Sequence, residues 1–334
     1  MLEKLTGLCG TSGHEDAVRE EILSAVSEIC EDVSVDKTGN IIALKKGKSA
    51  EKKCLVSAHM DEVGFIVKDI DDDGFIKFAA VGGIDSRILP GTGVKINGLD
   101  GVIGTKAIHL TTKEERKKPI KDEDLYIDIG ASSKEEAERY VSKGDYIYFD
   151  SKYVEFGAKC VKAKALDDRA GCSIILELIK EANPYYDTYF CFTVQEEIGC
   201  RGSITAARRI KPDFGLVIEG TTCGETLGTP KHLSVTTLGN GPAISVIEHP
   251  SMSDAELINK TLEKAERKKI PCQLKRASTG GNDAGNIQAT GSGVRTMAIA
   301  VPCRYIHSPV SMMKLSDYAG TYKLAKLIIE NIFR

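Results

Sequence analysis

The order of hydrophobic and polar residues divides the chain into three stretches. In the first, apolar residues recur at helical spacing over 18–29, after a capping-box spacing at 12–15, and they predict a helix. Alternating residues over 33–44 surround a Gly-Asn turn and predict a β-hairpin. A short apolar strand over 52–58 follows, and it delivers His59 at its end.

The middle stretch, from about residue 67 to 159, has a different pattern. Short β-like segments are separated by Gly, Asp and Pro turns, with little helical periodicity. This is typical of a small β-barrel or sandwich inserted into another domain. The sequence therefore predicts a discontinuous catalytic domain, 1–66 with 160–334, and an inserted β-rich domain, 67–159.

In the third stretch, strands and helices alternate. Strands are predicted over 159–165, 189–194, 214–218, 243–247 and 294–301, and helices begin near 167, 203, 253 and 316. Alternation of this kind favours an α/β fold, in which helices cover both faces of a sheet.

Composition removes several classes of function. With 334 residues and a net charge of −3, the chain offers no electrostatic basis for binding nucleic acid or an anionic membrane. No signal peptide is visible, and no apolar run approaches the roughly 18 residues of a membrane span. Ten cysteines without a C-x-x-C pair indicate reduced thiols, which predicts a cytoplasmic location.

The strand over 190–194 raises the first question of chemistry. It is apolar, aromatic or β-branched, yet it runs into two adjacent carboxylates, Glu196 and Glu197, just before Gly199. Desolvated charges are costly unless something positive meets them. One carboxylate could bind a metal ion while its neighbour polarises a water, although a solvated Glu-Glu turn explains this stretch equally well by itself.

Polar residues at the ends of successive predicted strands favour the metal interpretation. Open α/β sheets place their sites at such ends. Five candidates occur there: His59, Asp167, Glu197, Glu219 and His307. Imidazole and carboxylate ligands suit zinc, cobalt or manganese. Five side chains could hold two divalent ions if one carboxylate bridged them, and Asp167, at a helix start, is the best bridge candidate.

Four segments resemble the metal-binding segments of the M42 family of dinuclear metallo-aminopeptidases. They are Ser57-Ala-His59-Met-Asp61-Glu-Val-Gly64, Ala165-Leu-Asp167-Asp-Arg169, Val194-Gln-Glu196-Glu197-Ile-Gly199 and Tyr305-Ile-His307-Ser-Pro309. The resemblance covers essentially the whole chain. It implies a mixed-sheet α/β catalytic domain of the zinc-peptidase type with an inserted small β-barrel or PDZ-like dimerisation domain.

The resemblance also implies a role for each metal-ligand candidate. His59 and Glu219 would hold one ion, Glu197 and His307 the other, and Asp167 would bridge them. A cis peptide bond would follow the bridging acid. Relatives often have Asp at the Glu219 position, so Glu there bears on site geometry and metal preference.

Four further residues receive roles from the same resemblance. Glu196 would be the general base, and Asp61 would orient the His59 imidazole. The segment over 280–285 resembles a Gly-Gly-x-Asp-Ala segment near the substrate, so Gly281 and Asp283 would contact substrate. A tight turn with Asp283 as helix N-cap is the alternative for that segment.

The resemblance implies an aminopeptidase that releases residues from peptides with a free N-terminus. An amidohydrolase acting on N-blocked amino acids or peptides is the alternative, and a non-catalytic metal-binding scaffold is a third hypothesis. Some relatives carry an endoglucanase label, but nothing in the sequence requires a glycosidase. Relatives form dimers through the insertion and assemble into tetrahedral twelve-subunit shells, so a homo-oligomer is expected.

Overall fold

The computed structural model describes residues 1–276 and 280–334. The helices are α1 (Leu2–Gly7), α2 (Asp16–Ser27), α3 (Lys134–Ala137), α4 (Leu166–Glu181), α5 (Arg201–Ile210), α6 (Ala255–Arg267), α7 (Ala284–Gln288) and α8 (Leu315–Asn331). The strands are β1 (Val33–Val35), β2 (Ile41–Lys45), β3 (Ser49–His59), β4 (Gly64–Ile70), β5 (Ile76–Val81), β6 (Gly93–Ile96), β7 (Leu99–Thr105), β8 (Leu125–Asp128), β9 (Tyr146–Phe149), β10 (Val154–Phe156), β11 (Cys160–Ala163), β12 (Tyr186–Thr193), β13 (Phe214–Thr222), β14 (Ala243–Ser245), β15 (Ile247–Glu248), β16 (Ser251–Met252), β17 (Gln273–Leu274), β18 (Arg295–Arg304) and β19 (Ser311–Lys314). Short 3-10 helices lie at Ser86–Ile88, Ile108–Leu110, Glu115–Lys117, Asp122–Asp124 and Lys231–Leu233.

A mixed sheet in the order β1-β2-β12-β3-β13-β18-β19-β11-β10 forms the larger part of the molecule. Its four central strands, β12, β3, β13 and β18, run parallel, and the outer strands pair antiparallel. Side chains of β3 alternate between two apolar clusters: Val56 packs with α4 and α8, and Leu55 packs with α5 and α7. The predicted α/β sheet with helices on both faces is confirmed.

The β-rich stretch forms a closed barrel in the order β4-β5-β8-β7-β6-β9. Its interior is a separate apolar cluster that includes the fully buried side chains of Phe65, Ile76, Ile103 and Ile147. The sequence left a barrel and a sandwich open, and the structure is a barrel. Because β4 begins at Gly64, the barrel strands start slightly before the predicted insertion; the division into domains remains a prediction.

The start of α2 differs from its predicted capping box. Glu15 is the N-cap residue and makes no side-chain cap bond. The Ser12 hydroxyl instead donates to Asp61 Oδ2 at 2.5 Å. The helix begins only at Asp16, so Ser12 lies before its first turn, and the bond to Asp61 joins this segment to the site.

Two further observations concern membranes and thiols. Within residues 1–276 and 280–334, no helix has the length and apolar character needed to cross a bilayer. All ten cysteines are free thiols, as the scattered spacing predicts.

Candidate metal centre

The parallel strands bring their polar ends to one edge of the sheet. His59 is the last residue of β3 and lies in register with Thr193 at the end of β12. Glu219 lies inside β13, which continues four residues further than the predicted end at 218, to Thr222. His307 follows β18, and Asp167 lies in the first turn of α4. Glu197 follows the end of β12, so all five ligand candidates lie at this edge of the sheet.

The two oxygens of Asp167 face different histidines. Asp167 Oδ1 lies 3.5 Å from His59 Nε2, and Oδ2 lies 3.7 Å from His307 Nε2. Glu219 Oε2 is 3.6 Å from His59 Nε2, and Glu197 Oε2 is 3.3 Å from His307 Nε2. The arrangement has two halves that share one carboxylate, and each half has a histidine and a glutamate of its own.

The structure adds one acid that the sequence reasoning missed as a potential ligand. Ligand atoms of His59, Asp168 and Glu219 all lie within 4.8 Å of one another, as do those of Asp167, Glu197 and His307. Asp168 is fully buried, accepts from the backbone amides of His59 and Gly171, and therefore also fixes the local chain. Its adjacency to Asp167 is a weak signal that the sequence contained.

Burial and mutual repulsion disfavour ionisation of the acids. Burial raises the pKa of Glu196 to about 8, with a further contribution from Asp283 and Glu197. Burial likewise raises the pKa of Glu197 and of Glu219 well above the ordinary glutamate value. Ionisation of all these carboxyl groups therefore requires positive charge beside them, where little water can reach.

The same surroundings favour the protonated form of His59. Burial alone would lower the pKa of its imidazole, but hydrogen bonds with Asp167 and Asp61 raise the pKa well above the ordinary value. The acid-rich surroundings thus favour positive charge at this position.

The donor set fits divalent cations. Among the described residues, Glu219 Oε1 is buried and has no hydrogen-bond partner, so this oxygen is available to a metal ion. An excess of buried carboxylates over cationic side chains is compensated most directly by bound metal ions. Imidazole nitrogen and carboxylate oxygen are ligands of zinc, cobalt and manganese.

Asp61 connects the two sides of the cluster. It is fully buried; its Oδ1 accepts from the Glu196 amide at 3.0 Å and its Oδ2 from the Glu197 amide at 3.1 Å. His59 Nδ1 lies 3.4 Å from Asp61 Oδ1 and 3.1 Å from the Asp61 carbonyl oxygen. Although burial would raise the pKa of Asp61, the bonds from His59 and Ser12 hold it below its usual range.

The backbone around the cluster takes unusual conformations. Ala165, Gln195 and His307 have φ values of 52°, 56° and 57°, in the left-handed region that non-glycine residues rarely adopt. Such outliers concentrate at functional sites, where the surrounding structure holds them. The peptide bond between Asp167 and Asp168 is cis, which confirms the expectation drawn from the resemblance.

A cavity of about 560 Å³ adjoins the cluster. Besides cluster residues, its lining includes Gly281 and four polar residues that the sequence reasoning did not single out: Ser245, Glu248, Lys275 and Asn282. Glu248 ends the two-residue strand β15 and Lys275 directly follows β17, and neither lies in a distinctive motif. No local signal could have assigned them to the cavity.

Asp283 occupies a different position from its neighbour Gly281. Its side chain is fully buried and accepts from Thr193 Oγ1 at 2.6 Å. It is the N-cap residue of α7, although its side chain makes no cap bond there. Substrate contact by Gly281 and Asp283 remains a prediction.

This fold and this cluster define the class: a mixed-sheet α/β protein with a candidate metal-binding site at the edge of its sheet. The family model described as M42 glutamyl aminopeptidase matches residues 39–324. A lysyl aminopeptidase from Pyrococcus furiosus is 30% identical, across 99% of this chain and 96% of the relative.

Solved structures agree with that match. The TET1 peptidase of Pyrococcus horikoshii, which can assemble into a tetrahedron or a large octahedral shell, is 34% identical with a TM-score of 0.89, covering 99% of this chain and 98% of that one. A Thermotoga maritima protein named endoglucanase is 40% identical with a TM-score of 0.83, covering 99% and 96%. The chain belongs to the M42 peptidase family, and it is a hydrolase that acts as a metallo-aminopeptidase.

Proposed function

We propose that the protein binds two divalent metal ions and uses them to release N-terminal residues from peptides. The single observation that carries this proposal is the placement of Asp167, whose two oxygens face His59 and His307. Asp167 would bridge the ions, with His59 and Glu219 completing one site and Glu197 and His307 the other. Zinc or cobalt suits these ligands best, and manganese is also compatible.

Divalent cations at this position would polarise the scissile carbonyl and lower the pKa of water towards neutrality. Glu196 is the proposed general base. Its Oε2 lies 3.9 Å from His59 Nε2, while its Oε1 accepts from the Cys200 thiol at 3.2 Å. Glu196 Oε2 can take a proton from the attacking water and give it to the departing amine.

Asp61 is proposed as the residue that holds this geometry. Through one carboxylate it orients the His59 ring and fixes the backbone amides of Glu196 and Glu197. A base and a ligand that follow one another in sequence are thereby kept at fixed positions relative to His59.

The substrate is proposed to be a peptide with a free N-terminal amine, whose first side chain enters the cavity of about 560 Å³. The family includes a lysyl aminopeptidase, and its model is described by glutamyl aminopeptidase, so membership alone does not fix the preferred residue. That preference must come from the cavity wall of this chain.

We also propose a homo-oligomer, built from dimers that contact through the barrel and assemble into a tetrahedral dodecamer. The shells of the Pyrococcus horikoshii peptidase support this assembly. Exposed apolar side chains beside the barrel strands, Ile108 at 67% and Leu110 at 61% exposure, are suitable for such contacts. Light scattering of the purified chain tests the assembly, and a monomer would contradict it.

The catalytic proposal is tested with Glu196→Gln. Hydrolysis of aminoacyl-p-nitroanilides should fall at least about a hundredfold, because an amide cannot act as the base. Metal content by elemental analysis and the melting temperature should stay close to those of the unmodified protein. Glu20→Gln, on an exposed position of α2, is the matched control and should retain full activity.

The same assay separates the competing functions. Chelator should abolish cleavage, and added Zn²⁺ or Co²⁺ should restore it. Cleavage of N-acetylated substrates at a rate similar to free-amine substrates would favour an amidohydrolase instead. Normal turnover by Glu196→Gln would refute the assigned base.

A further inference from the structure

The cavity wall contains a buried ion pair that the catalytic cluster does not use. Lys275 Nζ donates to Glu248 Oε1 at 2.6 Å, and the two side chains are only 4% and 5% exposed. Ser245 Oγ donates to the same oxygen at 3.0 Å, and Asn282 Nδ2 donates to Glu248 Oε2. We call Glu248 and Lys275 the wall pair.

The strand register places the wall pair within reach of a substrate side chain. Glu219 of β13 pairs with Ala300 of β18, and Ala298, two residues earlier, pairs with Ser245 of β14. Residues two apart on a strand are about 7 Å apart. All four of these residues line one cavity, so a side chain anchored near Glu219 can extend over Ala300 and Ala298 towards Ser245.

Small residues without polar side chains form the floor of this path. Ala298 and Ala300 are small and apolar, and Gly280 and Gly281 line the same cavity. A methyl group added at Gly281 would meet the Pro250 ring at 2.7 Å, so the backbone there already packs closely. The small side chains of Ala298 and Ala300 leave room for a substrate side chain, whose tip would then reach the wall pair.

We propose that the wall pair is the specificity determinant of the N-terminal side-chain subsite, and that it selects an uncharged side chain. This inference rests on the proposed aminopeptidase function. The positive and negative charges of the wall pair cancel each other, so a charged side chain that enters loses its hydration without gaining an uncompensated opposite charge. An uncharged side chain does not incur that cost. Either member of the pair alone would attract the opposite charge.

The experiment compares kcat/KM for methionyl-, leucyl-, glutaminyl-, glutamyl- and lysyl-p-nitroanilides. The unmodified protein should prefer the uncharged substrates. Glu248→Gln removes the negative charge of the wall pair and should raise the glutamyl-to-leucyl ratio by about tenfold or more. Lys275→Met should raise the lysyl-to-leucyl ratio by about the same factor. The change should lie mainly in KM, because it alters side-chain binding.

Two controls keep the test decisive. Glu263→Gln breaks an exposed ion pair with Arg267 on α6 and should leave the substrate order unchanged. The double variant Glu248→Lys with Lys275→Glu restores a neutral wall and should keep the uncharged preference, so it decides the question even where a single variant does not fold.

The possible outcomes separate this inference from the function on which it rests. An unmodified protein that prefers glutamyl or lysyl substrates, or single variants with unshifted ratios, would overturn the wall pair as determinant while leaving the aminopeptidase intact. No cleavage of any free-amine substrate with metal supplied would overturn the proposed function, and this inference with it.

Discussion

Two clusters of buried charged residues lie next to each other in this protein, and they differ in charge balance. The first, the anchor cluster, consists of Glu62, Lys164 and Arg169. Lys164 Nζ donates to Glu62 at 2.6 Å, and Arg169 donates to Glu62 and to the carbonyl oxygens of Leu5 and Met60. The second, the acid cluster, is the candidate metal centre: Asp167, Glu196, Glu197 and Glu219 with His59 and His307.

The difference teaches how buried charge can serve structure or chemistry. In the anchor cluster, one carboxylate faces two cations, and the cations also bind backbone carbonyls of the N-terminal segment. In the acid cluster, carboxylates outnumber cationic groups, and one oxygen of Glu219 lacks a partner among the described residues. The anchor cluster is complete by itself, whereas the acid cluster requires added positive charge.

Removing the anchor carboxylate should have the largest effect on stability. Glu62→Gln leaves Lys164 and Arg169 buried without a counter-ion, which costs about 3–5 kcal/mol. Urea denaturation with chelator present measures this loss as a lower midpoint. Loss of activity should follow unfolding rather than precede it.

Glu219→Gln is the matched substitution in the acid cluster. Without metal it removes a repelled carboxylate, so its free energy of unfolding should stay within about 1 kcal/mol of the unmodified protein or exceed it. Metal content should fall. Equal destabilisation by Glu62→Gln and Glu219→Gln would remove the distinction between the clusters.

The sequence could predict the acid cluster because its members carry local signals. His59 and Glu197 stand at the ends of apolar strands, and parallel strands in an α/β sheet must present those ends at one edge. The same reasoning predicted the central strands and the helices on both faces. It also supplied Asp167 as the bridge candidate, at a helix start.

Other parts of the site depend on contacts between distant segments. Ser12 donates to Asp61 across 49 positions, and Lys275 reaches Glu248 across 27. No periodicity or motif records such a meeting, because it is fixed only when the segments pack. The capping-box prediction at 12–15 was wrong because α2 begins only at Asp16, so Ser12 lies before its first turn and contacts Asp61 instead.

Asp61→Asn tests whether Asp61 orients the residues of the acid cluster. An amide in place of the carboxylate would point a donor at the donors of Glu196, Glu197 or His59, so both sides of the cluster should loosen. Metal affinity is expected to fall about 10- to 100-fold, the usual effect of losing a group that orients a ligand. Competition titration with a metal-sensitive dye measures it.

Ser12→Ala provides the matched control, since it removes only one bond to Asp61. Its metal affinity should fall by less than that of Asp61→Asn. If both variants bind metal as tightly as the unmodified protein, Asp61 does not orient the cluster.

A pH dependence of stability is expected only for the metal-free protein, with a small change for each pH unit. Glu196 has a folded-state pKa of about 8, against an ordinary value of 4.5. Between these values the folded state keeps a proton that the unfolded state releases. The free energy of unfolding should therefore fall as pH rises from about 4.5 to about 8, by about 1 kcal/mol per pH unit. Urea denaturation in chelator at several pH values measures the slope.

Bound metal should reverse the pH dependence of the free energy of unfolding, and substitution of Glu196 should weaken it. Saturating Zn²⁺ competes with protons for the carboxylates, so stability should rise with pH where the metal-free protein loses it. Glu196→Gln should flatten the metal-free slope in part, because Glu197 and Glu219 also have raised pKa values. A metal-free stability that is constant or increases over this range would mean that the buried acids are already compensated, and that the acid cluster resembles the anchor cluster after all.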